Sequence, residues 1–518
     1  MAKKASEKAG KKSAADKKKS TANADVPQVR VRMFRHGLGD CFLLTFDVGR
    51  DEKHMLIDCG TLGSKRTQVK ITDVAKEIFS TIAGGKLDIV VATHEHKDHV
   101  SGFQNKEMKK LEGKVGNVWM AWTENPEDND AKDFAKHKDD LGQALAAIAL
   151  EAADTPAGQQ IAHLLGFAGT VAGMDDLEDA AVGDSTNADL LGADFARTVH
   201  EAMEFVRLKL APKPRYWNPG QTIVEDWLPG FRIYVLGPPR DKKSMADMGG
   251  HNSEELYHMA VALRSAARLH FAAEDMSAAE RAECERELPF DQRYVACGED
   301  LMRLRYRDYL ADANEWRRID IDWLSAATDL ALQLDKMTNN SSLALAIERV
   351  ADGKVLLFPA DAQQGNWLSW HSLQWTVPGQ SETISVADLL KRTVFYKVGH
   401  HASHNATLRE KGLELMPEDE LTAFIPVDRE IALARNPKGS WQMPAFHLYR
   451  RLLEVCGGRV ARSDIGWATL PEADDNVEKD FRNLATEDEW EDWSANQKHA
   501  EKVGQVNISS KFIDYVLE

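Results

Sequence analysis

The peptide Thr93-His94-Glu95-His96-Lys97-Asp98-His99 constrains this chain more than any other stretch. It follows the apolar run Leu87-Asp88-Ile89-Val90-Val91-Ala92, which reads as a buried strand that ends where the polar residues begin. Three imidazoles and the Asp98 carboxylate are thereby crowded onto one turn at the lip of a sheet. Neutral imidazole and carboxylate are natural ligands for a borderline divalent cation such as zinc. A lone histidine is more often a satisfied core or surface residue, but packing does not explain four such donors within six positions. His94 and His96 are two apart, so an extended or turning backbone aims both to one side. Asp98 and His99 follow on the turn, placed to face a second cation.

Patterning around this peptide predicts an α/β chain. Residues 29–34, 41–46 and 53–57 read as strands, 71–79 carries apolar residues at a helical period, and the 87–92 strand follows. A polar site at the carboxyl end of a strand is where such sheets place chemistry. Strand character returns at 115–122, 231–236, 342–348 and 354–358. Between these lie two Ala-rich or Arg/Glu-rich helical stretches, near 131–211 and 254–335, expected as insertions into one sheet-based domain because neither sheet portion has enough strands to stand alone. Residues 28–465 form the expected sheet-based domain, with 466–518 as a C-terminal extension packing on it.

The 518 residues carry a formal net charge of -17, yet the first 27 are basic, with lysines at 3, 4, 8, 11, 12 and 17–19 among Ala, Ser and Gly. This segment has little to bury and reads as a disordered tail, either a solubilising arm or a weak tether to nucleic acid or anionic lipid. It lacks the apolar core of a secretory signal, and no run of eighteen apolar residues occurs. The five cysteines are scattered without a CxxC, which fits a reduced, cytoplasmic setting better than a disulfide framework. Cys41 and Cys59 read as small buried hydrophobes.

Further donors are expected at the ends of later strands. The run Val355-Leu356-Leu357-Phe358-Pro359-Ala360-Asp361 delivers a carboxylate, and Thr393-Val394-Phe395-Tyr396-Lys397-Val398-Gly399 delivers His400-His401. Taken alone, an acidic residue ending a strand is often only a helix cap.

These pieces resemble the metallo-β-lactamase-fold hydrolases, whose fold is an αββα sandwich. Asp58 in Asp58-Cys59-Gly60 looks like the first motif of that family, and His94-x-His96-x-Asp98-His99 matches the second. Asp361 is similar to the bridging aspartate and His401 to the last histidine ligand. Gly39-Asp40-Cys41, Val235-Leu236-Gly237-Pro238, Asn339-Asn340-Ser341-Ser342-Leu343 and Lys397-Val398-Gly399-His400-His401-Ala402-Ser403 resemble, more narrowly, the metallo-hydrolase domain of the bacterial competence DNA-uptake channel and its soluble relatives. That subgroup usually has Gly where Ala402 stands. Trp441-Gln442-Met443-Pro444 and a helix over 447–456 resemble the trailing strand and helix of the fold.

The resemblance implies one or two divalent ions, Zn or Mn, held by His94, His96, Asp98, His99, Asp361 and His401, with Asp98, Lys397 and His404 as catalytic candidates. Ser403 and His404 are expected to touch a substrate phosphate or orient His401, and Asn339-Asn340 to support the site loop. The family's additional histidine for the first metal has no match in context; His200, His251 and His258 are the nearest candidates. The implied activity is hydrolysis by a metal-activated hydroxide, of DNA, RNA or a small phosphodiester. A lactone or thioester substrate, or a metal-stabilised partner-binding module with little catalysis, stays open, as does a homodimer or protein partner seated on the insertions.

Overall fold

The computed structural model describes residues 26–49, 51–83, 85–152, 155–167, 193–241, 319–376, 383–435 and 442–518, with a few isolated positions besides. The basic tail through residue 25, the helical stretch from 254 to 318 apart from residues 277, 278 and 282, and His251, His258, Cys284, Cys297 and Trp441 lie outside them.

Two eight-stranded sheets face each other. The first contains β1 (Gln28–Phe34), β2 (Phe42–Asp47), β3 (Glu52–Ile57), β4 (Leu87–Val91), β5 (Val115–Ala121), β6 (Arg215–Trp217), β17 (Val506–Ile508) and β18 (Phe512–Leu517), in the order β17-β18-β1-β2-β3-β4-β5-β6. The second contains β7 (Thr222–Ile223), β8 (Phe231–Gly237), β9 (Ala344–Arg349), β10 (Val355–Phe358), β13 (Thr393–Lys397), β14 (Thr422–Ile425), β15 (Val460–Arg462) and β16 (Gly466–Trp467), in the order β16-β15-β14-β13-β10-β9-β8-β7. A small ribbon pairs β11 (Gln374–Thr376) with β12 (Thr383–Ser385).

Period-two patterning explains the layering. In β2, Phe42, Leu44 and Phe46 point between the sheets while Leu43 points outward, and in β10 Leu356 and Phe358 point inward while Val355 and Leu357 point outward. Phe358 bridges the layers edge-on to Phe42 at 5.9 Å between ring centroids and beside Phe395 at 5.6 Å, directly before the loop to Asp361. Against the outer face of the first sheet lies α1 (Ile71–Thr81), whose Ile71, Val74, Ala75 and Ile78 follow i, i+3, i+4, i+7 and are buried. The helices of the other face include α7 (Gln364–Trp370), α8 (Phe446–Val455) and α9 (Glu487–Lys502). Helix, sheet, sheet, helix is the αββα sandwich, the metallo-β-lactamase architecture.

Three helices of the insertions, α3 (Asn129–Glu151), α4 (Pro156–Phe167) and α6 (Ile319–Asn340), pack on one another through Leu141, Leu145, Ile161, Leu165, Leu330 and Leu334. The fourth described one, α5 (Ala193–Phe205), lays Val199, Ala202 and Met203 on the outer core of the first sheet.

The C-terminal segment is a structural part of the sandwich. Strand β18 pairs antiparallel with β1 along its length, Val29 opposite Leu517 and Phe34 opposite Phe512, and the buried Arg32 guanidinium clasps Asp514 with two 2.8 Å bonds. Trp490 and Trp493, in a stretch whose acidic residues suggest a surface segment, turn inward from α9 into the outer core. Residues 442–445 form no strand; they bend directly into α8.

Candidate metal centre

Parallel pairing brings distant residues to one edge. Strands β3 and β4 run parallel with Ile57 opposite Val91, and β10 and β13 run parallel with Leu357 opposite Tyr396. Their carboxyl ends therefore deliver Asp58, the 93–99 turn, Asp361 and His400-His401 to the same rim. The sheets are tied together there, since Leu343 N donates to Thr93 O at 2.9 Å. The short helix α2 (Lys97–Val100) carries Asp98 and His99 and lies tight on the β3 loop. Only glycine fits at position 60: a Cβ there would meet Asp98 C at 2.1 Å and His99 N at 2.2 Å. Asp58, Ala360, His400, His401 and Ala402 all have positive φ, so the loops around the donors are held in left-handed backbone that side-chain-bearing residues disfavour.

Asp98, His99, Asp361 and His401 converge as one buried cluster. His401 Nε2 is 2.6 Å from Asp98 Oδ2, and His99 Nε2 is 3.0 Å from Asp361 Oδ2. Each histidine has its other nitrogen fixed. His99 Nδ1 donates to Asp58 Oδ2 at 2.8 Å, and His401 Nδ1 donates to the Pro426 carbonyl at 2.6 Å. Both Nε2 atoms are thus presented to the centre, the arrangement that orients a ligating imidazole. Asp98 Oδ1 is buried without a hydrogen-bond partner. An acceptor stranded in this way, with carboxylates and aimed imidazoles around it, fits a divalent cation.

Electrostatics point the same way. Burial drives the Asp98 pKa up, but His99 and His401 outweigh it and hold the carboxyl at about 2. Burial likewise opposes the Asp361 charge, and His99 with Lys397 overcomes it, leaving this carboxyl well below the usual range. In return, His99 and His401 are raised despite burial, His99 chiefly by Asp361 and Asp40, His401 chiefly by Asp98. The carboxylates demand positive charge at this point, and cation binding meets that demand while releasing protons.

A second grouping, Asp40, Asp58 and His99, has the donor types of a cation site. Its chemistry is that of a supporting shell. Asp58 already accepts from Thr93 N at 2.8 Å, Thr93 Oγ1 at 2.7 Å and His99 Nδ1. Asp40 Oδ2 lies 2.5 Å from the Lys397 ammonium, which also reaches Asp361 Oδ1 at 3.2 Å and donates to Ala360 O at 3.0 Å. Burial opposes the Lys397 charge, yet Asp40 and Asp361 raise its pKa. Lys397 is only 1% exposed, and its ammonium neutralises and orients the Asp40 and Asp361 carboxylates.

His94 and His96 adjoin the first cluster, the His94 ring centroid lying 4.2 Å from that of His99 and 4.7 Å from that of His96. His94 Nε2 faces His96 Nδ1 at 3.1 Å, and His94 Nδ1 lies 3.2 Å from Ser342 Oγ. Burial, with like charge from neighbouring histidines, holds His94 well below its ordinary pKa, and burial takes His96 to about 3, so both are neutral donors near pH 7. His200 is not with them. Its Nδ1 is 3.3 Å from Glu95 Oε1, while Lys138 of α3 donates to Glu95 Oε2 at 2.9 Å.

The remaining sequence candidates take supporting places. Asn340 Oδ1 accepts from Gln363 N at 3.2 Å and Asn366 Nδ2 at 3.0 Å, which braces the Asp361 loop. Ser403 Oγ pairs with His400 Nδ1 at 2.8 Å, and Thr407 Oγ1 with the Tyr396 hydroxyl at 2.7 Å. His404 is exposed on the rim and does not orient His401; the Pro426 carbonyl does. Sequence reasoning missed Asp335, Lys138, Ser342 and Pro426. A main-chain acceptor such as Pro426 has no side-chain signal at all, and Asp335 and Lys138 look like any charged residue of a surface helix.

Residues 35–105 match the family model described as the metallo-beta-lactamase superfamily, a span that holds Asp40, Asp58 and the whole 93–99 turn. Together with the sandwich, this shows a metallo-β-lactamase-like architecture whose candidate metal-binding clusters are consistent with a metal-dependent hydrolase. No curated protein matches the chain. Among the described residues no helix is long and apolar enough to cross a membrane.

Proposed function

We propose that the protein is a metal-dependent phosphodiesterase or nuclease, working with zinc or manganese. The single observation that carries this reading is the buried Asp98-His99-Asp361-His401 cluster with its stranded Asp98 oxygen. A bound divalent cation supplies a Lewis acid there and lowers the pKa of water. The chain's own groups do the rest. Asp98 would hold the cation and orient the attacking water, Asp361 and His99 would hold the cation beside it, and His401, fixed by Pro426, would complete the ligand set. Lys397 keeps Asp361 ionised and aimed. His404, exposed beside this rim, is the candidate contact for a substrate oxygen.

A phosphodiester is favoured by the motif resemblance to the competence-channel domain and by the need of that substrate for charge neutralisation at the attacked group. The net charge of -17 favours ends or small diesters over a broad duplex footprint, because long nucleic acids are gripped by neutralising many phosphates. A cytoplasmic location is part of the proposal, as it suits scattered thiols of which Cys41, Cys59 and Cys456 are buried and unpaired.

The test is cleavage of end-labelled linear and closed-circular single- and double-stranded DNA by wild type and Asp98→Ala, each loaded with zinc or manganese. Cleavage by wild type alone is expected, and preference for linear substrate identifies exonuclease action. Full activity in metal-replete Asp98→Ala would sink the site assignment. Metal-loaded wild type that leaves every DNA intact would transfer the reading to small diesters, lactones or thioesters.

A further inference from the structure

The C-terminal segment carries an acidic groove that the metal centre does not use. Two adjoining cavities, of about 360 and 730 Å³, share Thr469, Leu470 and Trp490 as walls. Leu470 is apolar yet 39% exposed, and Trp490 is buried with an Nε1 that has no hydrogen-bond partner. Helix α9 walls the larger cavity with Glu487 and Glu491, one turn apart, and among the described residues Lys498 is the one cation beside them. Glu472 and Glu478 line the smaller one with Arg66. Arg462 takes up Glu478 with bonds of 3.0 and 2.9 Å, and Arg66 lies 3.3 Å from Glu430. Glu472, Glu487 and Glu491 are exposed and make no ion pair among the described residues. An extended, lysine-bearing peptide suits all three features. Its ammonium groups meet the carboxylates, its methylene stems lie on Leu470, and a main-chain carbonyl accepts from Trp490 Nε1.

We propose that Lys17-Lys18-Lys19 of the basic tail seats in this groove, between residues 469–472 and α9 of its own chain. The tail holds eight lysines against Glu7, Asp16 and Asp25, so its charge complements the groove. It joins the fold near the other end of α9. Pro27 O accepts from Arg349 Nη1 at 3.1 Å, and Nη2 of the same guanidinium donates to Glu518 O at 2.7 Å. Leu517 and Glu518 in turn share a cavity with Asn496 and His499 of α9. From Pro27 back to Lys19 an extended chain covers about 26 Å. Along α9, His499 and Glu487 are separated by about 18 Å of helix, so the lysines reach the groove. Each exposed ion pair contributes little, but tethering raises the effective concentration of the lysines to the order of millimolar. Docked in this way, the tail is open to a polyanion only by displacement from its own protein. No metal ligand takes part, so the inference stands apart from the hydrolase reading.

The experiment treats the full chain, as an equal mixture of ¹⁵N-labelled and unlabelled protein, with a carbodiimide that joins an amine to a carboxylate in contact. Mass spectrometry then maps the amide bonds formed. Links from Lys17, Lys18 or Lys19 to Glu472, Glu487 or Glu491 are expected, within one isotope only, and they should vanish at about 0.5 M salt, where exposed charges are screened. Links that mix the isotopes would assign the groove to the tail of a second copy and overturn docking within the chain. Tail links scattered over other acidic residues, or none, overturn the proposal outright. Trypsin supplies a second readout. Cleavage after Lys17, Lys18 and Lys19 should run about 3–10-fold faster in Glu487→Gln/Glu491→Gln than in wild type at low salt, and equally fast in both at high salt. Leu470→Ser, which keeps every charge, should also speed cleavage. Wild-type rates in both variants at low salt overturn the proposal.

Discussion

His99, Asp361 and His401 reach the centre on segments that leave the parallel strands of the two sheets, whereas groups beside Glu95 and His96 come from helices inserted into the sandwich. In the first region each donor is over-determined: His99 by Asp58, His401 by Pro426, Asp361 by Lys397 and by His400 N at 3.0 Å. In the second region, Glu95 is held by Lys138 and His200, and His96 faces Asp335, all from elements that the sheet does not require. A sheet edge fixes geometry through many shared main-chain bonds. A helix resting on side chains adjusts more easily, so the second region is the part a sequence can retune without rebuilding the fold.

The sharpest attack on this contrast is Asp98→Ala. It removes the proposed ligand that also orients the attacking water, and hydrolysis should fall by about 10²–10⁴-fold or more, with a circular-dichroism spectrum like that of wild type. Lys397→Met comes next and strikes stability. It strands the buried carboxylates of Asp40 and Asp361, and the expected cost in metal-free protein is roughly 3–5 kcal/mol by denaturant titration. Added divalent cation should restore part of that loss, because it supplies the missing positive charge beside Asp361. If Lys397→Met is as stable as wild type, the sheet region is not over-determined as argued.

Lys138→Ala probes the helix-built side. It frees Glu95 between the two histidines, and metal affinity at the His94/His96 side should drop by about 10-fold while the His99 cluster keeps its cation, measured by calorimetry. Equal weakening of both sites would erase the distinction between the regions. The smallest effect is expected at Glu124, beside this network. Burial, then the charge of Glu95, raises its pKa to about 7. The protonated form is thus favoured by folding, and this contribution is complete below the unfolded pKa near 4.5 and lost as pH rises through about 7. Glu124→Gln should leave the melting temperature unchanged at pH 4 and raise stability at pH 8 by on the order of 1 kcal/mol, after allowing for solvent screening. A constant difference between pH 4 and pH 8 would disprove the linkage.

Sequence by itself determined the elements that repeat a simple period and the donors that cluster in one peptide. Strands such as 231–237 and 355–358 alternate or are apolar throughout, and the histidine turn announces a cation because nothing else explains its composition. Asp361 and His401 were legible as strand-end donors for the same reason. Strands β6, β7 and β14–β16 escaped, being two to four residues long, too short to show a period. Strand β18, in the C-terminal extension, takes its place in the sheet from its pairing with β1. The acidic neighbours of the α9 tryptophans suggest a surface or interface segment, and their burial depends on what packs across from them.

Only the tertiary structure could decide the partners. Parallel pairing of β3 with β4 and of β10 with β13, in two sheets laid face to face, puts residues hundreds of positions apart on one rim, and no local pattern encodes that adjacency. Likewise Lys397, a catalytic candidate in the strand, becomes a buried counter-charge once Asp40 and Asp361 close around it. Asp335 and Lys138 gain roles because folding lays their helices over the His94-Glu95-His96 segment. Residue chemistry can be read along the chain, but charge pairing and ligand orientation act over a few ångströms of space, and the fold alone sets those distances.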